Sequence, residues 1–277
     1  VDAAPPRTGT PAVTPTEDGP RLEEILDHLS RAAGLYRDSA LQFSCDEDIS
    51  GSGLGGKSYH FEYIYVYSSS RGFEDYRTEP GAPRPREIDL NAYRIPQFLR
   101  RAYSWIFVFS ETARKHHRYA MVGEDDALGR AALKLAFEPV PPFKRDLNEW
   151  FGTAWIDRET FEILKVEALQ RDEHRKQMEF EEDLARSSTH DARGRKRRYQ
   201  IERVSTEFSL EKNGMRFPGK VVITLSERAI PGEDGAPFDE STVYRIEQVY
   251  ANYRFFSVRT LEEVRAIVSG PSRLASP

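Results

Sequence analysis

Apolar and polar positions change period several times along this chain, and each change marks an element. Leu22, Ile25, Leu26, Leu29 and Ala33 recur at helical spacing, which predicts a helix beginning near Pro20. Glu23 and Glu24 fall in its first turn and Arg31 and Arg37 late, the arrangement that complements a helix dipole. From Leu41 the period drops to two, with Leu41, Phe43 and Cys45 on one side and Gln42, Ser44 and Asp46 on the other, a strand. After a glycine-rich loop, Tyr59, Phe61, Tyr63, Tyr65 and Tyr67 share one face of a second strand, opposite His60, Glu62, Ile64 and Val66. Burying each ring contributes roughly 2 kcal/mol, so this face requires a cover.

A proline-rich connection around Pro80, Pro83 and Pro85 leads to Pro96, which opens a helical pattern of Phe98, Leu99, Ala102, Tyr103 and Ile106, the candidate cover. The segment from Trp105 to Phe109 fits helix and strand equally. Hairpins follow: Tyr119 to Glu124 and Ala131 to Phe137 about a turn near Gly129, then Gly152 to Ile156 and Ile163 to Leu169 about a turn at Asp157 to Thr160. Between Arg171 and Arg198 the composition becomes strongly charged and predicts a long, solvated, mobile excursion. Strands resume at Tyr199 to Leu210. Asn213-Gly214 is a hairpin signal leading into Val221 to Ile230, and a long strand spans Thr242 to Phe256. Thr260 with Glu263 forms a capping box for a closing helix that ends at Gly270-Pro271.

The 277 residues have room for one large β domain, read here as residues 21–270, and no stretch approaches the length of a membrane helix. The 45 acidic against 40 basic side chains give a net charge of -5, which argues against nucleic acid as a partner. The single cysteine, Cys45, rules out an internal disulfide framework. Residues 1–20 start without methionine and run through Ala, Pro, Thr and Gly, the pattern of a disordered leader left after signal-peptide removal. Export is expected.

Motifs with chemical meaning read as structure. Gly51 to Ser58 fits the phosphate-loop pattern, but acidic residues Asp46 to Asp48 precede it and a strand follows it, so it reads as a hairpin loop. The basic cluster of Arg193 and Arg195 to Arg198 lies downstream of Glu179, Glu181, Glu182 and Asp183 and compensates them. His116 and His117 are adjacent, a poor geometry for sharing a metal. Cys45 alternates with apolar residues and reads as core. No nucleophile elbow or acid/base pair stands out, so neither catalysis nor a cofactor or metal is expected.

The stretch from Phe151 through Trp155 and Phe161 to Glu167 resembles a hairpin recurrent in the LolA/LolB-like outer-membrane lipoprotein-sorting superfamily of periplasmic carriers. The hairpin at Asn213-Gly214 and the strand ending Tyr253-Arg254-Phe255-Phe256 look like the same family's C-terminal half, the likeness being greatest to uncharacterised exported members. The resemblance spans Leu22 to Phe256. It implies an α+β, mainly β fold: an open antiparallel half-barrel whose concave face is covered by helices and holds acyl chains. The charged insertion at residues 171–198 is foreign to the simple carrier, and none of the carrier's functional arginines maps onto a position here.

A ligand held between the aromatic sheet face and its lid would be lined by Tyr59, Phe61, Tyr63, Tyr65, Tyr67, Phe98, Tyr103 and Trp105. The expected partner is a lipid or lipoprotein acyl chain. The rival expectation is a half-barrel filled by its own side chains that binds another envelope protein.

Overall fold

In the computed structural model the described residues are 19–37, 42–68, 72–81, 104–141, 149–186, 198–229 and 239–255. In chain order the elements are α1 (Gly19–Leu35), β1 (Gln42–Gly51), β2 (Ser58–Ser68), β3 (Gly72–Thr78), a short α2 (Glu111–Arg114), β4 (His117–Ala127) and β5 (Arg130–Pro139). These are followed by β6 (Trp150–Asp157), β7 (Ile163–Gln170), α3 (Arg171–Ala185), β8 (Arg198–Glu207), β9 (Leu210–Lys212), β10 (Met215–Phe217), β11 (Lys220–Ala229) and β12 (Asp239–Phe255). Gly19 and Pro20 already belong to α1, so the helix starts just inside the expected leader.

Among the described residues ten strands form one antiparallel sheet in the order β3-β2-β1-β12-β11-β8-β7-β6-β5-β4, and β9 pairs with β10 as a separate hairpin. The long β12 inserts between the first strand and β11, pairing Phe43 with Phe255 on one side and Val221 with Gln248 on the other. The sheet stays open, with β3 and β4 at its edges, which agrees with the mainly β, half-barrel expectation.

One face of the sheet carries the main core. Ile25, Leu26, Leu29 and Ala33 of α1 are buried in a cluster with Phe43, Ile49, Phe61, Tyr63 and Tyr65 of β1 and β2, Phe137 of β5, Val166 of β7 and Ile246 of β12. The 104–109 segment is a run of 3-10 turns, and its Trp105, Ile106 and Phe109 join the same core.

The charged excursion is corrected by the structure. Residues 171–185 form a helix that packs on the opposite face of the sheet. Ile201 lies under Phe180 of α3, whereas Val204, three positions along β8, lies in the main core, and strand alternation puts the two on opposite faces. Phe151 stacks on His174 at 3.9 Å, and Gln177, Phe180 and Asp183 supply the buried stripe of α3.

The glycine-rich loop joins two paired strands, as expected for a hairpin. A side chain at Gly51 would collide with the backbone of Arg245, and the Arg245 N–H donates to Ser52 Oγ at 3.0 Å, so the loop is docked against β12. Cys45 is fully buried, and burial, reinforced by the Glu47 charge, pushes its thiol far up. Residues 1–18 of the expected leader, the part of the helical pattern from Pro96 to Tyr103, the closing helix and the basic cluster before Arg198 lie outside the described residues.

Candidate ligand cavity

Two turns and one helix converge to leave a cavity of about 500 Å³. The helix is α1, whose His28, Leu29, Ala32 and Leu35 recur at helical spacing and face the space together with Tyr36 just past its end. The first turn joins β6 to β7. Asp157 is buried and its Oδ1 accepts the backbone N–H groups of Glu159 at 2.8 Å and Thr160 at 3.0 Å, while its other oxygen accepts from Arg130 Nε. Burial alone would raise this carboxyl, but those hydrogen bonds outweigh it and hold Asp157 below the usual range. The turn closes with Phe161 at φ 55°, a left-handed conformation rare for a bulky residue, and its ring meets His28 edge-on at 5.6 Å.

The second turn is Asn213-Gly214, with φ of 53° and 72°, which folds β9 back on β10 and brings Met215 and Arg216 to the cavity. Ile106, Ile163 and Phe208 complete the apolar lining.

The polar end is organised around Arg216. Its Nε donates to Glu162 Oε2 at 3.2 Å and its Nη1 to the Phe208 carbonyl at 3.5 Å, and Glu211 lies 3.9 Å from Nη2. Tyr36 Oη donates to the Arg216 carbonyl, tying the end of α1 to the hairpin. Burial raises the Glu162 carboxyl in spite of Arg216, and burial, with the Arg31 charge adding to it, lowers His28 to about 4. The result is a chamber with aliphatic and aromatic walls and a small cluster of polar groups at one end. Small-molecule sites have the same make-up and fall in about the same size range, 300–1,000 Å³.

Of the eight rings singled out in the sequence, the five whose side chains are described, Tyr59, Phe61, Tyr63, Tyr65 and Trp105, do not line this cavity. Phe61, Tyr63 and Tyr65 lie together in the core beside it, with Phe43 at the hub, 5.6 Å from Tyr65, 5.0 Å from Tyr253 and 6.2 Å from Phe217. Tyr59 is partly buried and stacks on Phe61. Trp105 donates from Nε1 to Thr206 Oγ1 at 2.9 Å and meets Trp150 edge-on at 4.9 Å. Phe98, Tyr103 and the side chain of Tyr67 lie outside the described residues.

The sequence reasoning missed the cavity residues. Both turns were recognised as turns, but nothing local says that they meet α1.

No protein-family model matches the chain, and no curated protein matches it. Among solved structures it is similar to a putative outer membrane lipoprotein-sorting protein domain from Vibrio parahaemolyticus, at 10% identity and a TM-score of 0.41, over 89% of this chain and 99% of that one. It is also similar to a DUF1329 family protein from Desulfovibrio piger, at 12% identity and a TM-score of 0.39, over 84% of this chain and 92% of that one. A third is a LolA superfamily protein from Nitrosomonas europaea, at 10% identity and a TM-score of 0.37, over 86% of this chain and 94% of that one. Among the described residues no helix is long and apolar enough to cross a membrane.

Proposed function

We propose that this chain is an exported, periplasmic binding or carrier protein, not an enzyme, and that it holds an apolar ligand such as a lipid or acyl chain in the cavity between α1 and the two hairpin turns. The observation that carries the reading is the cavity itself. A chamber of about 500 Å³ walled by Leu29, Ala32, Leu35, Ile106, Ile163 and Phe208 withholds apolar surface from close packing, which a protein interior otherwise avoids. The rings of β2 act here as the stiff wall behind the cavity, and α1 as its lid.

An apolar fluorophore, N-phenyl-1-naphthylamine, tests it. Binding with one-to-one stoichiometry is expected, and Ala32→Phe, which places a ring in the chamber, should abolish it while leaving the far-ultraviolet circular dichroism and the denaturant midpoint near those of the wild type. Binding unchanged in Ala32→Phe would move the ligand elsewhere, and no binding to the wild type would remove the carrier reading.

One observation favours the rival, a scaffold for another envelope protein. The sheet face over β1, β2 and β12 is filled by the chain's own rings, and the edge strands β3 and β4 each have one side unpaired among the described residues, the geometry used for strand addition. That reading gains if the fluorophore does not bind.

A further inference from the structure

Among the described residues three glutamates, Glu159, Glu162 and Glu211, line the cavity against one guanidinium, that of Arg216. Arg216 is already engaged by Glu162, Glu211 and the Phe208 carbonyl. Of the cations nearby, Arg130 is held by Asp157 and lies 3.8 Å from Glu159, and Arg31 is not among the lining residues. His28 adds no positive charge near neutral pH, because burial keeps its imidazole neutral.

The hydrogen-bonding capacity of the polar end, by contrast, is not used up. Both side-chain hydrogen bonds that Glu162 accepts end on Oε2, from Thr160 Oγ1 at 3.1 Å and Arg216 Nε at 3.2 Å, so Oε1 is available among the described residues. His28 Nε2 is buried and has no hydrogen-bond partner among the described residues. A buried polar atom left in that state is destabilising unless something completes it.

We infer that the cavity selects amphiphiles by their head group: an apolar tail whose head donates hydrogen bonds and carries no negative charge, with a protonated amine favoured over a hydroxyl and a carboxylate disfavoured. The inference rests on the ligand reading above. A carboxylate or phosphate head would face Glu162 and find the Arg216 guanidinium, the one guanidinium among the described lining residues, already occupied, whereas an ammonium finds Glu162 Oε1 and a hydroxyl, which both donates and accepts, can meet Glu162 Oε1 or His28 Nε2 in either imidazole tautomer. The discrimination falls mainly to Glu162, whose side chain is 24% exposed, because Glu159 and Glu211 are open to solvent and screened.

The test is displacement of bound N-phenyl-1-naphthylamine from the full chain by dodecylamine, dodecanol and dodecanoate at neutral pH. Dodecylamine should compete at least about tenfold more strongly than dodecanoate, with dodecanol between them. Glu162→Gln should bring the amine close to the alcohol, by lowering the amine's affinity more than the alcohol's. Glu211→Gln, at a more exposed position, should narrow the same gap by less and guards against a folding defect in the first variant. Dodecanoate competing as well as dodecylamine would overturn the inference while leaving the carrier reading intact. An amine preference that survives both substitutions would also overturn it, as general attraction to an acidic surface. Failure of the fluorophore to bind at all would remove the carrier reading and the inference with it.

Discussion

Arg77 and Glu47 face each other inside the aromatic face of the sheet, Nε to Oε2 at 2.6 Å and Nη2 to Oε1 at 2.8 Å, with both side chains almost wholly out of solvent. They sit among rings rather than at a surface. The Arg77 guanidinium lies 4.3 Å from the centre of the Tyr63 ring, and Gln248 Nε2 donates to Glu47 Oε1. The pair ties the edge strand β3 to β1 and, through Gln248, to β12. Two charges out of water repel replacement of either one, since the survivor is left buried and uncompensated. Glu47→Ala or Arg77→Ala should therefore lower stability by about 3–5 kcal/mol, and a double replacement by Leu and Met should recover most of that loss. Urea midpoints of the four proteins check it, and a double variant no better than the singles would mean that the pair fixes the position of β3 beyond its charge balance.

The ring cluster and the cavity separate on one further variant. Phe61 is buried against Tyr59 and joins the main core, so Phe61→Ala should cost about 3–5 kcal/mol, the loss typical of a ring removed from close packing. Because Phe61 does not line the cavity, fluorophore affinity measured well below the unfolding transition should change less than about threefold. A large affinity change with little loss of stability would return the ligand to the aromatic face.

What the sequence made legible follows from how local each signal is. The hairpins at Asp157 to Thr160 and Asn213-Gly214 were readable because a side-chain cap and a pair of positive φ angles are written in the turn residues themselves. The helix α3 was not, because only Phe180 of its buried stripe is apolar. Its other buried positions are polar and find partners on the sheet: Gln177 Oε1 accepts from Arg203 at 2.7 Å and Arg228 at 2.9 Å, and Asp183 accepts from Tyr199 Oη. A charged segment with one ring reads as a loop until those partners are known. The cavity was illegible for a different reason. Its lining is drawn from α1, the 159–163 turn and the 208–216 hairpin, distant in sequence, and ring density on β2 marks a packed core as readily as a binding face.

Proteolysis gives a direct check on α3. Arg171, Arg175 and Lys176 should resist trypsin under native conditions, because the helix is docked through Phe180 and the His174–Phe151 stack. Phe180→Ala should release it, making those sites the first to be cut while the β6–β7 hairpin survives. Early cleavage at Arg175 in the wild type would show that the helix opens freely from the sheet.

His28 should make stability depend on pH in a defined direction. Its imidazole is lowered to about 4 in the folded protein, through burial first and the Arg31 charge second, whereas in the unfolded chain it titrates at about 6.5. Between those two values the unfolded chain binds more protons than the folded one, so stability falls as pH drops from about 6.5 toward 4 and is independent of this group above that window. Titration of the carboxylates overlaps the lower part of the range, and subtracting a His28→Gln variant removes their contribution. The difference between wild-type and variant urea midpoints should be flat above about pH 6.5 and move against the wild type below it. The Phe161 ring, which meets the imidazole edge-on, offers a protonated His28 no counter-charge, so a difference curve that instead favours the wild type at low pH would mean that a carboxylate such as Glu159 swings in to pair with it.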